Sequence, residues 1–459
     1  MARENSSRAK FAEDMQPPAL NRKAPQTALF LDAPDRGEAG WWVRLVKRGV
    51  PMIEAIGNGQ ACVTFLWRDD QGTELTSPVE RVYADVNSVT DHHCLTPQSL
   101  ERIAGTDVWF WQVELPLNWR GSYCFIPASE DRLQPVLSGD LQTCKANHRD
   151  WWRSVLPHAT PDPLNPLQSY KVGMRLRVSP LHLPEAPNYA LWHAIDSGKV
   201  PHAPFQELVE INWASKLQNK QRKVWIYVSG WSHNQSAPPV DGYPLVLLLD
   251  GSNWAEQMPI QGVLEMETAE GNLPSAVYVF IDPIDLEQRA EDLTCNAEFW
   301  NAVHSELLPL IAEIAPITAN PALSMVAGQS YGGLAATYAG LFLPNRFGLV
   351  LSQSGSFWWP NFEALRSAQN VAELREGART GWLTTQLKSG DVPEKIPGGM
   401  RVFMEVGTRE EDMIDASDTM SVALNGAGHE VFYRRFEGGH DGLCWRNGLI
   451  DGLRWLFAR

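Results

Sequence analysis

The chain has little cysteine, little positive charge and no long apolar run, and each shortage narrows what it can be. Its six cysteines among 459 residues (Cys62, Cys94, Cys124, Cys144, Cys295, Cys444) show no C-x-x-C spacing. That pattern reads as ordinary reduced thiols, with no metal-binding set and no disulfide framework. A formal net charge of −15 argues against a general nucleic-acid binder, which would present a basic face. No run of eighteen apolar residues occurs, and the opening Met-Ala-Arg-Glu-Asn-Ser-Ser-Arg leads into no hydrophobic signal region. A cytosolic protein with no membrane span is expected, which makes the sequons at Asn5 and Asn234 irrelevant. Internal repeats and coiled-coil heptads are also missing.

What is present is apolar and aromatic. The 44% hydrophobic and 10% aromatic content, with nineteen tryptophans, is ample for more than one packed core. Residues 1–40 are polar and proline-containing and are expected to be disordered or loosely docked. Residues 41–156 carry short alternating runs: Cys62–Trp67, Val82–Val86, Val108–Leu115 and Gly121–Ile126. Their spacing predicts an antiparallel, immunoglobulin-like β-sandwich. The proline-rich stretch 157–207 reads as an extended linker. From residue 208 to 459 the pattern changes to a hairpin (Val209–Trp213, Lys223–Val228), then nearly continuous apolar strands alternating with helices. This predicts a mostly parallel sheet covered on both faces, so the fold class is α/β with a separate β-sandwich.

One apolar run, Leu323–Ala327, ends in Gly328-Gln329-Ser330-Tyr331-Gly332 and passes at once into a helical pattern. Gly-x-Ser-x-Gly between strand and helix is a nucleophile elbow, in which the serine takes a strained backbone and its hydroxyl projects into a cleft. Small residues two places to either side let strand and helix pass closely.

A serine nucleophile needs a base, and in α/β-hydrolases the chain order is Ser, acid, His. Two histidines follow Ser330. His429 precedes the last strand and should lie at the opposite end of the sheet. His440 follows that strand in Glu437-Gly438-Gly439-His440-Asp441, where the base belongs. The acid should follow the preceding strand, where Glu410, Glu411 and Asp412 are adjacent; Glu410 is the first choice. The oxyanion hole should use the N–H of Tyr331 and, from the loop Leu249–Trp254, the N–H of Ser252.

With these residues in view, the chain resembles the enterochelin esterase family of esterase D-like α/β-hydrolases. The resemblance rests on Leu249-Asp250-Gly251, Ile281–Ala290, Cys295–Trp300, Val326–Leu334, Leu351–Pro360 and Gly438–Arg446, with Asn118–Pro127 and Asp162–Pro166 in the N-terminal half. Such enzymes are cytoplasmic and cleave the trilactone of catecholate siderophores such as enterobactin, so that imported iron can be released. The resemblance implies Ser330 as nucleophile, His440 as base and Glu410 in the family's Gly-x-x-Glu; Glu411-Asp412 stands where the family has Glu-Pro. It implies no cofactor and no protein-held metal, because Fe(III) arrives with the small-molecule substrate. Ferric catecholate is anionic, so Arg289 is a candidate contact, with Arg446, Trp254, Trp358 and Trp359 behind it. Competing readings are another carboxylesterase on this scaffold, of S-formylglutathione or feruloyl type, or an inactive siderophore- or polysaccharide-binding module.

Overall fold

Apolar alternation builds the N-terminal half as two sheets in a computed structural model, which describes residues 24–172, 176–187, 190–199, 208–230, 238–368, 370–393 and 398–458. The strands are β1 (Met52–Gly57), β2 (Gln60–Arg68), β3 (Arg81–Val86), β4 (Glu101–Arg102), β5 (Val108–Pro116), β6 (Arg120–Ala128), β7 (Tyr170–Val172) and β8 (Leu176–His182). They form two four-stranded antiparallel sheets, ordered β1-β2-β5-β4 and β3-β6-β8-β7. Every second residue of β2 (Ala61, Val63, Phe65, Trp67) joins Val82, Ala84 and Val86 of β3 and Tyr123 and Phe125 of β6 in one core. Burying one such aromatic contributes about 1.5–3 kcal/mol.

The other face of each sheet is also covered, and here two expectations are corrected. Residues 1–23 lie outside the described part, but 24–40 are not loosely docked. The helices Pro25–Leu31 and Ala39–Arg48 bury Leu31, Trp41, Trp42 and Leu45 against Leu66 and Val108. The stretch 157–207 is no extended linker where described: β7 and β8 complete the second sheet, and Ala190–Asp196 is helical. Its prolines misled because edge strands and bends tolerate a missing donor as well as linkers do. Residues 200–207 and both sequons lie outside the described residues.

The chain divides into two compact units, Met1–Val200 with Glu437–Cys444 and Pro201–Phe436 with Trp445–Arg459. The second is built on β9 (Val209–Ser215), β10 (Lys220–Val228), β11 (Leu245–Leu248), β12 (Val277–Ile281), β13 (Ser324–Gln329), β14 (Leu349–Gln353), β15 (Arg401–Gly407) and β16 (Glu430–Phe436). Their order is β16-β15-β14-β13-β11-β12-β10-β9. The β9–β10 hairpin and the β10–β12 pair are antiparallel, while β12 through β16 run parallel. Strands β11 to β14 are buried along their whole length, as their continuous apolar sequence requires. Registers Gln329↔Gln353, Gln353↔Glu405 and Gly407↔Phe436 bring the carboxyl ends of four parallel strands level. In open α/β sheets that edge is where sites are built. No helix among the described residues is long and apolar enough to cross a membrane.

Candidate active site

Ser330 stands between β13 and the helix Tyr331–Phe342 with φ 58° and ψ −121°, a region that non-glycine residues rarely enter. The strain is held from both sides. Its N–H donates to the carbonyl of Gln353 (3.0 Å), and its own carbonyl accepts from the N–H of Ser356 (3.0 Å). A Cβ on Gly328 would overlap the backbone of Gly332, so that glycine is obligatory. A Cβ on Gly332 would meet only Asp250 Oδ2 and Leu249 Cβ at an ordinary 3.5 Å. Ser330 Oγ lies 3.4 Å from Ser356 Oγ. As first residue of the helix, Tyr331 has an N–H with no intrahelical acceptor, which suits it to an oxyanion.

The loop after β11 reaches the elbow through Asp250, which has φ 55°. Gly251 packs there on the backbone of Phe280 and Ile281 (2.5 Å for an added Cβ). Ser252 follows, half-buried, at the start of a helical turn. Arg289 clamps this loop: its Nε and Nη2 donate to the two Asp250 oxygens at 2.5 and 2.7 Å. The guanidinium also lies over the Tyr331 ring, 5.7 Å from its centroid. Its charge is therefore matched inside the protein, where sequence reasoning assigned it to a substrate.

Of the three acidic candidates, burial separates one. Glu410 is 7% exposed, whereas Glu411 and Asp412 lie half-exposed in the first turn of the helix Glu411–Gly426. Glu410 Oε1 accepts from Ser354 Oγ (2.6 Å) and from the N–H of Gly407 (2.8 Å). Ser354 in turn accepts the indole N–H of Trp445 (2.9 Å). A buried carboxylate held in this way suits the role of orienting an imidazole.

Beneath this edge runs a polar chain that sequence reasoning missed. Trp254 Nε1 donates to Gln329 Oε1 (3.3 Å), Gln329 Nε2 to Gln353 Oε1 (2.8 Å), and Gln353 Nε2 to Glu405 Oε1 (2.6 Å). Arg434 pairs with the other Glu405 oxygen (2.9 Å) and with Asp451 (2.7 Å). Complete burial pushes the Glu405 carboxyl up, opposed by Arg434 and Gln353. The available signal was the polar run Ser352-Gln353-Ser354 at the carboxyl end of the otherwise apolar strand β14.

The tryptophans divide. Trp254 is 1% exposed and Arg446 2% exposed, so both belong to the interior. Trp358 is half-buried, 6.0 Å from the Tyr331 ring, with its N–H on Met413 Sδ (3.0 Å). Trp359, also half-buried, lies 6.3 Å from the Trp382 ring.

His429 lies at the opening of its strand, with Nδ1 accepting the N–H of Met400 (3.1 Å); burial pushes its pKa down. His440 follows β16 and belongs, with Glu437–Cys444, to the first unit; its residue is exposed while Gly438, Gly439 and Asp441 are buried. No disulfide forms among the six cysteines. Among the described residues no group of three or more His, Cys, Asp or Glu side chains is placed to hold a metal ion.

Comparison with known proteins agrees with this architecture. Two family models match in series, "Enterochelin esterase, N-terminal" over residues 62–192 and "Putative esterase" over 215–456. The chain is 45% identical over 440 residues to an iron(III) enterobactin esterase of Dickeya dadantii (strain 3937), covering 94% of this chain and 95% of that one. It is 43% identical over 418 residues to an iron(III) enterobactin esterase of Escherichia coli (strain K12), covering 91% and 96%. A crystal structure of an enterobactin esterase from Shigella flexneri, determined in the presence of enterobactin, superposes with a TM-score of 0.76 at 42% identity, covering 92% of this chain and 98% of that one. This chain is a member of the iron(III) enterobactin (enterochelin) esterase family.

Proposed function

We propose that this protein hydrolyses the ester bonds of an enterobactin-type trilactone through an acyl-enzyme on Ser330, with His440 as base and Glu410 as the supporting acid. The observation that carries the reading is the strained elbow at Ser330 at the end of β13, with a buried carboxylate, Glu410, in the turn that follows β15, two strands away. Ser330 Oγ attacks the lactone carbonyl carbon while His440 takes its proton. The N–H groups of Tyr331 and Ser252 receive the negative charge on the former carbonyl oxygen. When the tetrahedral intermediate collapses, the proton passes from His440 to the departing serine hydroxyl, opening the ring. A water deprotonated by His440 then attacks the acyl-enzyme and releases a free carboxylate and Ser330. Glu410 holds the imidazole in one tautomer and stabilises its charged form.

Tyr331 and Trp358, half-buried side by side at the elbow, suit the flat catechol rings of such a substrate, and Trp359 extends the same aromatic wall. Fe(III) is cargo of the ligand, and no protein metal takes part in these steps. Action on imported siderophore places the enzyme in the cytoplasm. The test is to incubate the purified protein, and Ser330→Ala, with cyclic trilactone siderophore with and without Fe(III) and to identify products by mass. Ring-opened and monomeric acylserines should form with the native protein. Ser330→Ala should fold normally and lose at least ~1000-fold in kcat. Undiminished cleavage by Ser330→Ala would sink the proposal.

A further inference from the structure

The segment that carries His440 is fastened immediately before and after the imidazole. Before it, Gly439 lies so close to Asn87 and Ser88 that an added Cβ would sit 2.5 Å from Ser88 Oγ. The carbonyl of His440 accepts from Asn87 Nδ2 (3.1 Å). After it, the Asp441 carboxylate is 4% exposed and accepts three hydrogen bonds. Its Oδ2 takes the Ser122 N–H of β6 (2.6 Å); its Oδ1 takes the Tyr170 hydroxyl of β7 (3.3 Å) and the Leu443 N–H (2.9 Å). One turn on, Cys444 Sγ donates to the carbonyl of Arg120 (3.4 Å).

Only the Leu443 bond is local. The partners Ser122, Tyr170, Asn87 and Arg120 are 319, 271, 353 and 324 residues away in sequence, all in the unit built on the sandwich. A carboxylate is costly to bury unless donors surround it, so Asp441 acts as a pin with a built socket. A loop that leaves a strand for a helix across two glycines has little stiffness of its own. Here its backbone is immobilised at the residues flanking an exposed histidine.

We infer that Asp441, with its socket of Ser122 and Tyr170 and with Asn87 on the neighbouring His440 carbonyl, is a positioning element for His440. This rests on the reading of His440 as the base. A purely structural role, in which Asp441 only caps the following helix, would lower stability without acting through His440.

The test compares kcat, KM and pH profiles of the full chain carrying Asp441→Asn, Tyr170→Phe, His440→Ala and the His440→Ala/Asp441→Asn pair. Losing a charge-assisted acceptor should lower kcat of Asp441→Asn by about 10–100-fold, with KM within about twofold. The acid limb of its kcat/KM profile should also move. Tyr170→Phe, which deletes one donor and is the milder variant should Asp441→Asn not fold, should lower kcat about threefold. In the His440→Ala background, Asp441→Asn should cost nothing more, because its effect passes through the imidazole. An equal cost with or without His440, or wild-type kcat and profile in both single socket variants, overturns the positioning role. Full activity of His440→Ala would instead overturn the reading of the base itself.

Discussion

The elbow and the histidine segment are held in place by opposite means. At Ser330 the constraints come from within the strand–turn–helix or from the adjacent strand end: Gly328 against Gly332, and the backbone of Gln353 and Ser356. At His440 they come from Asn87, Ser122 and Tyr170, each more than 250 positions away. A nucleophile can be encoded by a pentapeptide because its strain is a local property of the backbone. The base has no such local code, since a glycine loop takes its shape from whatever it is tied to. Damage to the elbow should therefore disturb the hydrolase unit, while the histidine should be reachable through substitutions in the sandwich.

The largest effect expected is at the proposed supporting acid. Glu410→Gln keeps shape and loses charge, and should lower kcat by about 10⁴-fold, roughly 5 kcal/mol, as for other triad acids. Glu411→Gln and Asp412→Asn, half-exposed on the helix, should stay within about twofold. A steady-state comparison of the three checks the assignment; a loss at Glu411 or Asp412 as large as at Glu410 would overturn it.

The sandwich side can be probed by pH. Asp162 is buried, and burial pushes its carboxyl from an ordinary 3.8 up to about 6, against hydrogen bonds from Tyr123, Leu164 and Asn165 that favour the ionised form. Because its folded pKa is raised, the folded state binds this proton more tightly than the unfolded chain. Its contribution is fully present below about pH 4 and declines as pH rises through about 6. The window spans about two units, so on the order of 3 kcal/mol of the sandwich's stability depends on it. Urea unfolding of the native protein should weaken more steeply between pH 4 and 6 than that of Asp162→Asn. Parallel slopes would show that Asp162 titrates normally.

The elbow side is probed by one pair of glycines. Gly328→Ala forces a Cβ into the Gly332 backbone and should cost about 2–3 kcal/mol with most of the activity. Gly332→Ala meets only 3.5 Å contacts and should cost less than ~1 kcal/mol. The sequence pattern treats these glycines alike, and thermal unfolding of both variants separates them.

That asymmetry shows where sequence reading stops. The β-sandwich strands, the hairpin, the parallel sheet and the elbow were legible because each writes a period of two or an unbroken apolar run. The helices at 25–31 and 39–48 were missed because their apolar stripe is short and its partners, Leu66 and Val108, belong to strands that already had one buried face. The strands β7 and β8 hid among prolines. At the site, residue types were legible and pairings were not. Nothing in the sequence says that Arg289 pairs with Asp250, or that Trp254 and Arg446 are buried. Such pairings depend on which strand ends lie level, which only the sheet order decides.

Ser354 offers the finest test of how the acid is held. It is fully buried with φ 48°, donates to Glu410 Oε1 at 2.6 Å and accepts from Trp445 Nε1 at 2.9 Å, so it ties the acid to the first turns of the last helix. Ser354→Ala removes both bonds but leaves Glu410 its 2.8 Å contact with the Gly407 N–H. The carboxylate would keep its place in part and lose its fixed rotation. Losing one hydrogen bond to a charged group costs about 1.5–3 kcal/mol, but the surviving contact and side-chain relaxation should hold the loss near the lower bound, about tenfold in kcat. Ser356→Ala, whose hydroxyl makes only the 3.4 Å approach to Ser330, should cost about twofold. If Ser354 works through Glu410, its substitution adds nothing once Glu410→Gln is in place. An equal tenfold loss in that background would mean that Ser354 supports the sheet edge and not the acid.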